Sequence, residues 1–154
     1  MRDKEALKTA CDAIIIDHDL EPEMLDGGMV THCNQGAIKV ANALGCNELD
    51  GLMADDQYKV MDANASGLWL KCIGQTAALH AQMGGLAFAA MTSAQLKETH
   101  GHIAAIYPAP MQMSPSLGKE VPIVANVGKT NAEEKESGAF PVADGEPDYF
   151  CWQG

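Results

Sequence analysis

Basic residues are scarce in this chain. Ten Lys and Arg stand against 21 Asp and Glu in 154 residues, a formal net charge of −11. Nucleic acids and anionic membranes both recruit proteins through basic patches, so neither is an expected partner. No apolar run approaches the roughly 18 residues that a membrane span requires. The opening MRDKEALK lacks the apolar core of a secretory signal, so the chain is expected to be made in the cytoplasm without a signal peptide. Aromatic residues make up only 5% of the sequence, and no pair of them sits near a loop to stack on a sugar, which counts against a dedicated glycan-binding module. The five cysteines (Cys11, Cys33, Cys46, Cys72 and Cys151) form no CxxC pair, which excludes a zinc ribbon or a thioredoxin-like motif. Their odd number and irregular spacing argue against a disulfide framework.

What is present suffices for one hydrophobic core. The apolar fraction of 47% and the charged fraction of 20% are globular values, and residues 1–154 make a single domain of ordinary size. Helical spacing of apolar residues predicts helices over 4–16, 34–44, 54–61 and 75–82. The second carries an Ala37/Val40/Ala41/Leu44 face and stops at Gly45. The acidic stretch Asp17–Asp26 followed by Gly27-Gly28 reads as a connection. Beyond Gly85 the texture changes to short apolar runs: Leu86–Met91, His102–Tyr107, Val121–Val127 and Tyr149–Trp152 read as strands, the first buried on both faces. The segments around Met111–Ile123 and Lys129–Ser137 read as loops. Helices followed by a strand meander predict an α+β fold, with N-terminal helices packed on one side of a small antiparallel β-sheet.

Two residues invite chemistry together. Cys33 stands at the start of a helix, where the macrodipole favours thiolate over thiol, and His102 opens a strand just after Gly101. An imidazole close to the thiol would lower its pKa further, so Cys33 is expected to be the most reactive cysteine. Asn126 is out of place in the apolar run VPIVANV, because a strand interior prefers β-branched or aromatic side chains. Antiparallel neighbours would bring His102 and Asn126 side by side, giving a Cys33–His102–Asn126 triad with Asn131 as the alternative third member.

The residues around this triad resemble a known family. THCNQGAIKVANALG (Thr31–Gly45) resembles the nucleophile segment of the NlpC/P60 and CHAP cysteine amidohydrolases, in which Cys and a small polar residue open a helix. GGLAFAAM and THGHIAAIYP resemble the paired strands of those enzymes, the second carrying the catalytic His. LMADDQYKVM and VPIVANVGKTN look similar to single-domain versions found among phage endolysins and cell-wall effectors. The resemblance covers about residues 27–152, leaving 1–26 as an N-terminal helix and connection. It implies a papain-like fold and cleavage of an amide bond in the bacterial cell-wall stem peptide, as endopeptidase or N-acetylmuramoyl-L-alanine amidase, without a cofactor. The protein would then act on the wall after release or dedicated secretion, with a peptidoglycan or muropeptide substrate and an unidentified immunity or release partner. The chain departs from the pattern in having His32 where many relatives carry an aromatic residue, and in lacking the upstream Gln that completes the papain oxyanion hole. His32 and Asn34 are the candidates for that second donor. Asp55, Asp56 and Gln57 cap a predicted helix and, by the resemblance, flank the substrate cleft.

Two other readings compete. His100 and His102 form an H-x-H that, with His32 and Cys33, could ligate zinc in a hydrolase, although Gly101 and Thr99 place His100 in a turn. A catalytically inactive binding module on the same fold is the second.

Overall fold

The computed structural model describes residues 2–154. In chain order the elements are α1 (Lys4–Ile16), β1 (Glu23–Leu25), β2 (Gly28–Val30), α2 (Cys33–Ala43), α3 (Ala54–Ala63), β3 (Trp69–Cys72), α4 (Gly74–Gln82), β4 (Ala87–Met91), α5 (Ser93–Leu96), β5 (His102–Ile106), β6 (Gln112–Ser114), β7 (Lys119–Val121), β8 (Ile123–Asn126), β9 (Ala132–Lys135), α6 (Glu136–Ala139) and β10 (Asp148–Trp152). The architecture is mixed α+β with antiparallel sheets. The main sheet has six strands in the order β3-β10-β4-β5-β8-β9, and β1-β2 and β6-β7 form two separate hairpins. Among the described residues no helix is long and apolar enough to cross a membrane.

The helices begin and end where their local chemistry dictates. Asp3 accepts hydrogen bonds from the backbone N–H groups of Glu5 and Ala6, capping α1. At the end of α2, Gly45 takes a φ of +86°. Its N–H bonds the Asn42 carbonyl while that of Cys46 reaches back to Ala41, the paired pattern of a Schellman stop. The expected face of α2 is the buried one: Ala37, Val40 and Ala41 are buried, with Leu44 packed at the rim. Gly36 lies on the same side, and a Cβ there would sit 3.0 Å from Val127 Cγ2, so the missing side chain sets how closely α2 approaches the residue after Asn126.

Helices cover both faces of the sheet, not one. Successive strand residues point to opposite faces. In β10, Phe150 meets Tyr58 of α3 edge-on at 5.3 Å between ring centroids. Its neighbour Tyr149 packs against Gly74 of α4. A strand sandwiched in this way has no solvated side, which is why all five residues of β4 are buried, as its continuous apolar run suggested.

Several elements were hidden by short or polar sequence. The connection before α2 contains the β1-β2 hairpin, whose turn residues Asp26 and Gly27 both have positive φ. Asp-Gly is a strong sequence signal for that turn type. Pro122 divides the expected Val121–Val127 strand, so Val121 ends β7 in one hairpin and Ile123 begins β8 in the main sheet. The run AEEK forms β9, a charged edge strand, and both charge and edge position protect a sheet from further pairing.

Candidate active site

The site lies where β5 and β8 part. These strands pair only through Ala105↔Ala125 and Ile106↔Val124. Further along β5, the N-terminus of α2 meets the backbone in place of the neighbouring strand. Cys33 Sγ is 3.9 Å from the carbonyl oxygen of Gly101 and lies at the backbone N–H of Ile103, the groups on either side of His102. His102 and Asn126, each at a strand end, point to the same face. His102 Nε2 is 2.7 Å from Asn126 Oδ1. The His102 ring also packs on Phe140, with centroids 4.8 Å apart. Gly128 leaves room for the imidazole, since a Cβ there would be 3.3 Å from His102 Cε1.

Asn126 is held on both sides of its amide. Its Nδ2 donates to the Thr130 carbonyl at 3.2 Å and to Glu134 Oε1 at 2.8 Å. With both amide hydrogens used, the oxygen is the atom that faces His102, so Nε2 is the donor and Nδ1 is the unprotonated nitrogen of the neutral ring. Asn131, the alternative third member, is occupied elsewhere: it accepts from the Gly128 N–H and donates to the Leu20 carbonyl.

Electrostatics in the resting site reverse the expectation of an activated thiol. Burial pushes the Cys33 thiol above its ordinary value, against the opposing pull of the N–H groups of Ile103, Asn34 and Cys33 itself. Burial also lowers His102, against the stabilising effects of Asn126 and Glu98 on the charged ring. Both shifts favour the neutral forms, because a charge of either sign loses hydration here. Both directions run against a preformed thiolate–imidazolium pair.

A cleft of about 590 Å³ opens beside His102 and Asn126. Met29 of the first hairpin, Thr31 just after it, Glu98, Lys129 and Phe140 contribute to its walls. Cys33 is only 7% exposed and lies behind that lining, against Gly101, which is part of it. The expected substrate-binding residues do not line the cleft. Asp55 accepts from the Ser93 N–H and hydroxyl, and so pins the segment that leads into β5. Gln57 is fully buried and donates to the Asn34 carbonyl, tying α3 to α2. Asp56 is exposed and pairs with Lys59. Neither candidate for the second oxyanion donor is aimed at the thiol: Asn34 donates its amide to the Leu52 carbonyl, and His32 turns toward Glu23 at 3.6 Å. Asn34 is thus taken up by the loop before α3, and His32 by the first hairpin.

The zinc arrangement is not assembled either. His100 is exposed and precedes β5, so it does not share a strand with His102. Among the described residues no three His, Cys, Asp or Glu side chains converge as a metal cluster. The residues that sequence reading missed are Thr130, which lies in the turn after β8, and Glu134 and Phe140, brought to the site by the return of β9 and α6. The polar segment that contains Glu134 gave a pattern of loop rather than strand.

No protein-family model matches the chain. No curated protein matches its sequence.

Proposed function

We propose that this protein is a cysteine amidohydrolase of papain-like architecture, cutting an amide bond in the stem peptide of the bacterial cell wall. The observation that carries the reading is the 2.7 Å contact between His102 Nε2 and Asn126 Oδ1, with the Cys33 thiol on the backbone groups that flank His102. The sequence resemblance supplies the substrate class. Because thiol and imidazole rest as neutral groups, the chemistry starts by general-base catalysis. Nδ1 of His102 takes the thiol proton as the sulfur attacks the amide carbonyl. The Cys33 backbone N–H stabilises the developing oxyanion. His102 then passes that proton to the leaving amine, and a thioester remains on Cys33. Water, deprotonated by His102, attacks the thioester and restores the thiol. The scheme uses no cofactor.

Digestion of purified peptidoglycan followed by mass analysis of the fragments tests the reading and reports the bond. New amine and carboxyl termini that appear with the wild-type protein and vanish with Cys33→Ala are expected. An unchanged digest, with Cys33→Ala and wild type indistinguishable, refutes it. One observation favours a second reading, an inactive binding module: the thiol lies behind the cleft lining in its neutral form. That reading expects muropeptide binding without any change in fragment mass.

A further inference from the structure

We propose that Glu134 is a positioning residue that selects the tautomer of His102 through Asn126. A terminal amide has two orientations of nearly equal shape, and only hydrogen-bond partners distinguish them. At Asn126 the choice is made by two acceptors, the Thr130 carbonyl and the Glu134 carboxylate. Thr130 sits in the β8–β9 turn, four residues from Asn126, so its contact is local. Glu134 comes from the neighbouring edge strand, where it is the cross-strand partner of Val124, and reaches diagonally to the amide. A carboxylate accepts hydrogen bonds and cannot donate them at neutral pH, so Nδ2 must face it and Oδ1 must face the ring. An oxygen at 2.7 Å demands a donor on Nε2, which leaves Nδ1 free of its proton. That is the nitrogen the proposed reaction needs as base.

A second feature leaves room for the carboxylate. Gly138 lies against Glu134, and a Cβ there would be 2.7 Å from Glu134 Oε2. The first turn after β9 thus forms a seat for one oxygen while the other holds Asn126. A methyl group at residue 138 would meet only the mobile end of a side chain, so Gly138→Ala should displace the carboxylate and leave the backbone in place. The tautomer claim concerns the ring alone. Its catalytic consequence rests on the amidohydrolase reading.

The test is nitrogen NMR of uniformly ¹⁵N-histidine-labelled protein at a pH where the His102 ring is neutral, with its signals identified by their loss in His102→Gln. The wild-type protein should show a single Nε2–H tautomer. Glu134→Ala and Gly138→Ala should both populate the Nδ1–H form, whereas Glu134→Gln, which still offers a carbonyl oxygen to Asn126, should restore the wild-type pattern. Thermal unfolding of each variant separates this from loss of structure. A His102 signal in Glu134→Ala identical to that of the wild type, in a folded protein, overturns the proposal. Peptidoglycan cleavage is read in parallel. A tautomer shift accompanied by a fall in kcat of about tenfold to a hundredfold, the scale of a misplaced catalytic group, carries both claims. A tautomer shift in a protein that never cleaves sustains the role of Glu134 and removes only the enzyme reading.

Discussion

Titration of cysteine reactivity distinguishes a thiol activated on demand from one held as a thiolate. An unperturbed thiol with a pKa of about 8.5 is roughly 3% thiolate at pH 7. Cys33 lies above that value because it is buried, so its reactive fraction at neutral pH is smaller still. His102, shifted toward its neutral form by burial, offers no standing positive charge to offset this. Cys72 is the opposite case. It is half-buried, its sulfur is 3.3 Å from that of Cys151, and the hydrogen bond between the two thiols lowers it. Cys11 is pushed up to about 12 by burial, and Cys46 and Cys151 are raised as well. Brief iodoacetamide treatment of the substrate-free protein, with mass mapping of labelled peptides, should therefore modify Cys72 first at pH 7. Labelling of Cys33 should rise about tenfold per pH unit between pH 6 and 9, as expected for a reaction limited by thiolate fraction. The helix macrodipole acts in the direction of activation, but the stabilisation it provides is about 0.3–1 kcal/mol at exposed sites, less than the cost of burying a charge. A Cys33 rate that exceeds that of Cys72 and levels off below pH 7 would refute the reasoning and establish a preformed ion pair.

Other perturbations reach separate parts of the molecule. On the proposed substrate, His102→Ala should reduce kcat by about 10²–10⁴ or more, Asn126→Ala less, and Asn126→Asp should keep part of the activity because a carboxylate accepts the same ring N–H. His100→Ala should leave kcat nearly unchanged and act on KM at most, since that side chain lies on the cleft wall outside β5, whereas loss of a zinc ligand would abolish turnover; one activity series covers all four variants. Glu136, 1% exposed and raised to about 7 by burial and by Glu146, keeps its proton in the folded state through a pH range where the unfolded chain has released it. Its own contribution should therefore destabilise the fold by about 2–3 kcal/mol as pH rises from about 4.3 to 7, opposite in sign to that of the buried histidines, and the difference between wild type and Glu136→Gln in urea denaturation should change by that amount across this range. Phe88 is fully buried beside Trp69, so Phe88→Ala should cost about 3–5 kcal/mol in the same assay. A cost below about 1 kcal/mol would mean that the core around β4 is not packed as described.

Local periodicity determined the main helices and the long apolar strands of this protein. The bounds of α1 match the expected 4–16, because an Asp cap and a repeating apolar face act within a few residues of chain. The juxtaposition of His102 and Asn126 was legible for a related reason: His102 opens one apolar run, Asn126 interrupts the next, and antiparallel pairing of successive apolar runs is the default connection. Tertiary structure alone decided the rest. Glu134 reaches Asn126 only because a polar segment without strand character returns along the sheet edge, a pairing no residue in that segment announces. Asp55, Gln57 and Asn34 became internal ties instead of cleft residues because α2, α3 and the segment before β5 converge there. The protonation of Cys33 and His102 was beyond sequence for the same physical reason. A helix start and a nearby imidazole argue for charge, but hydration decides it, and hydration depends on how deeply the assembled fold buries the pair.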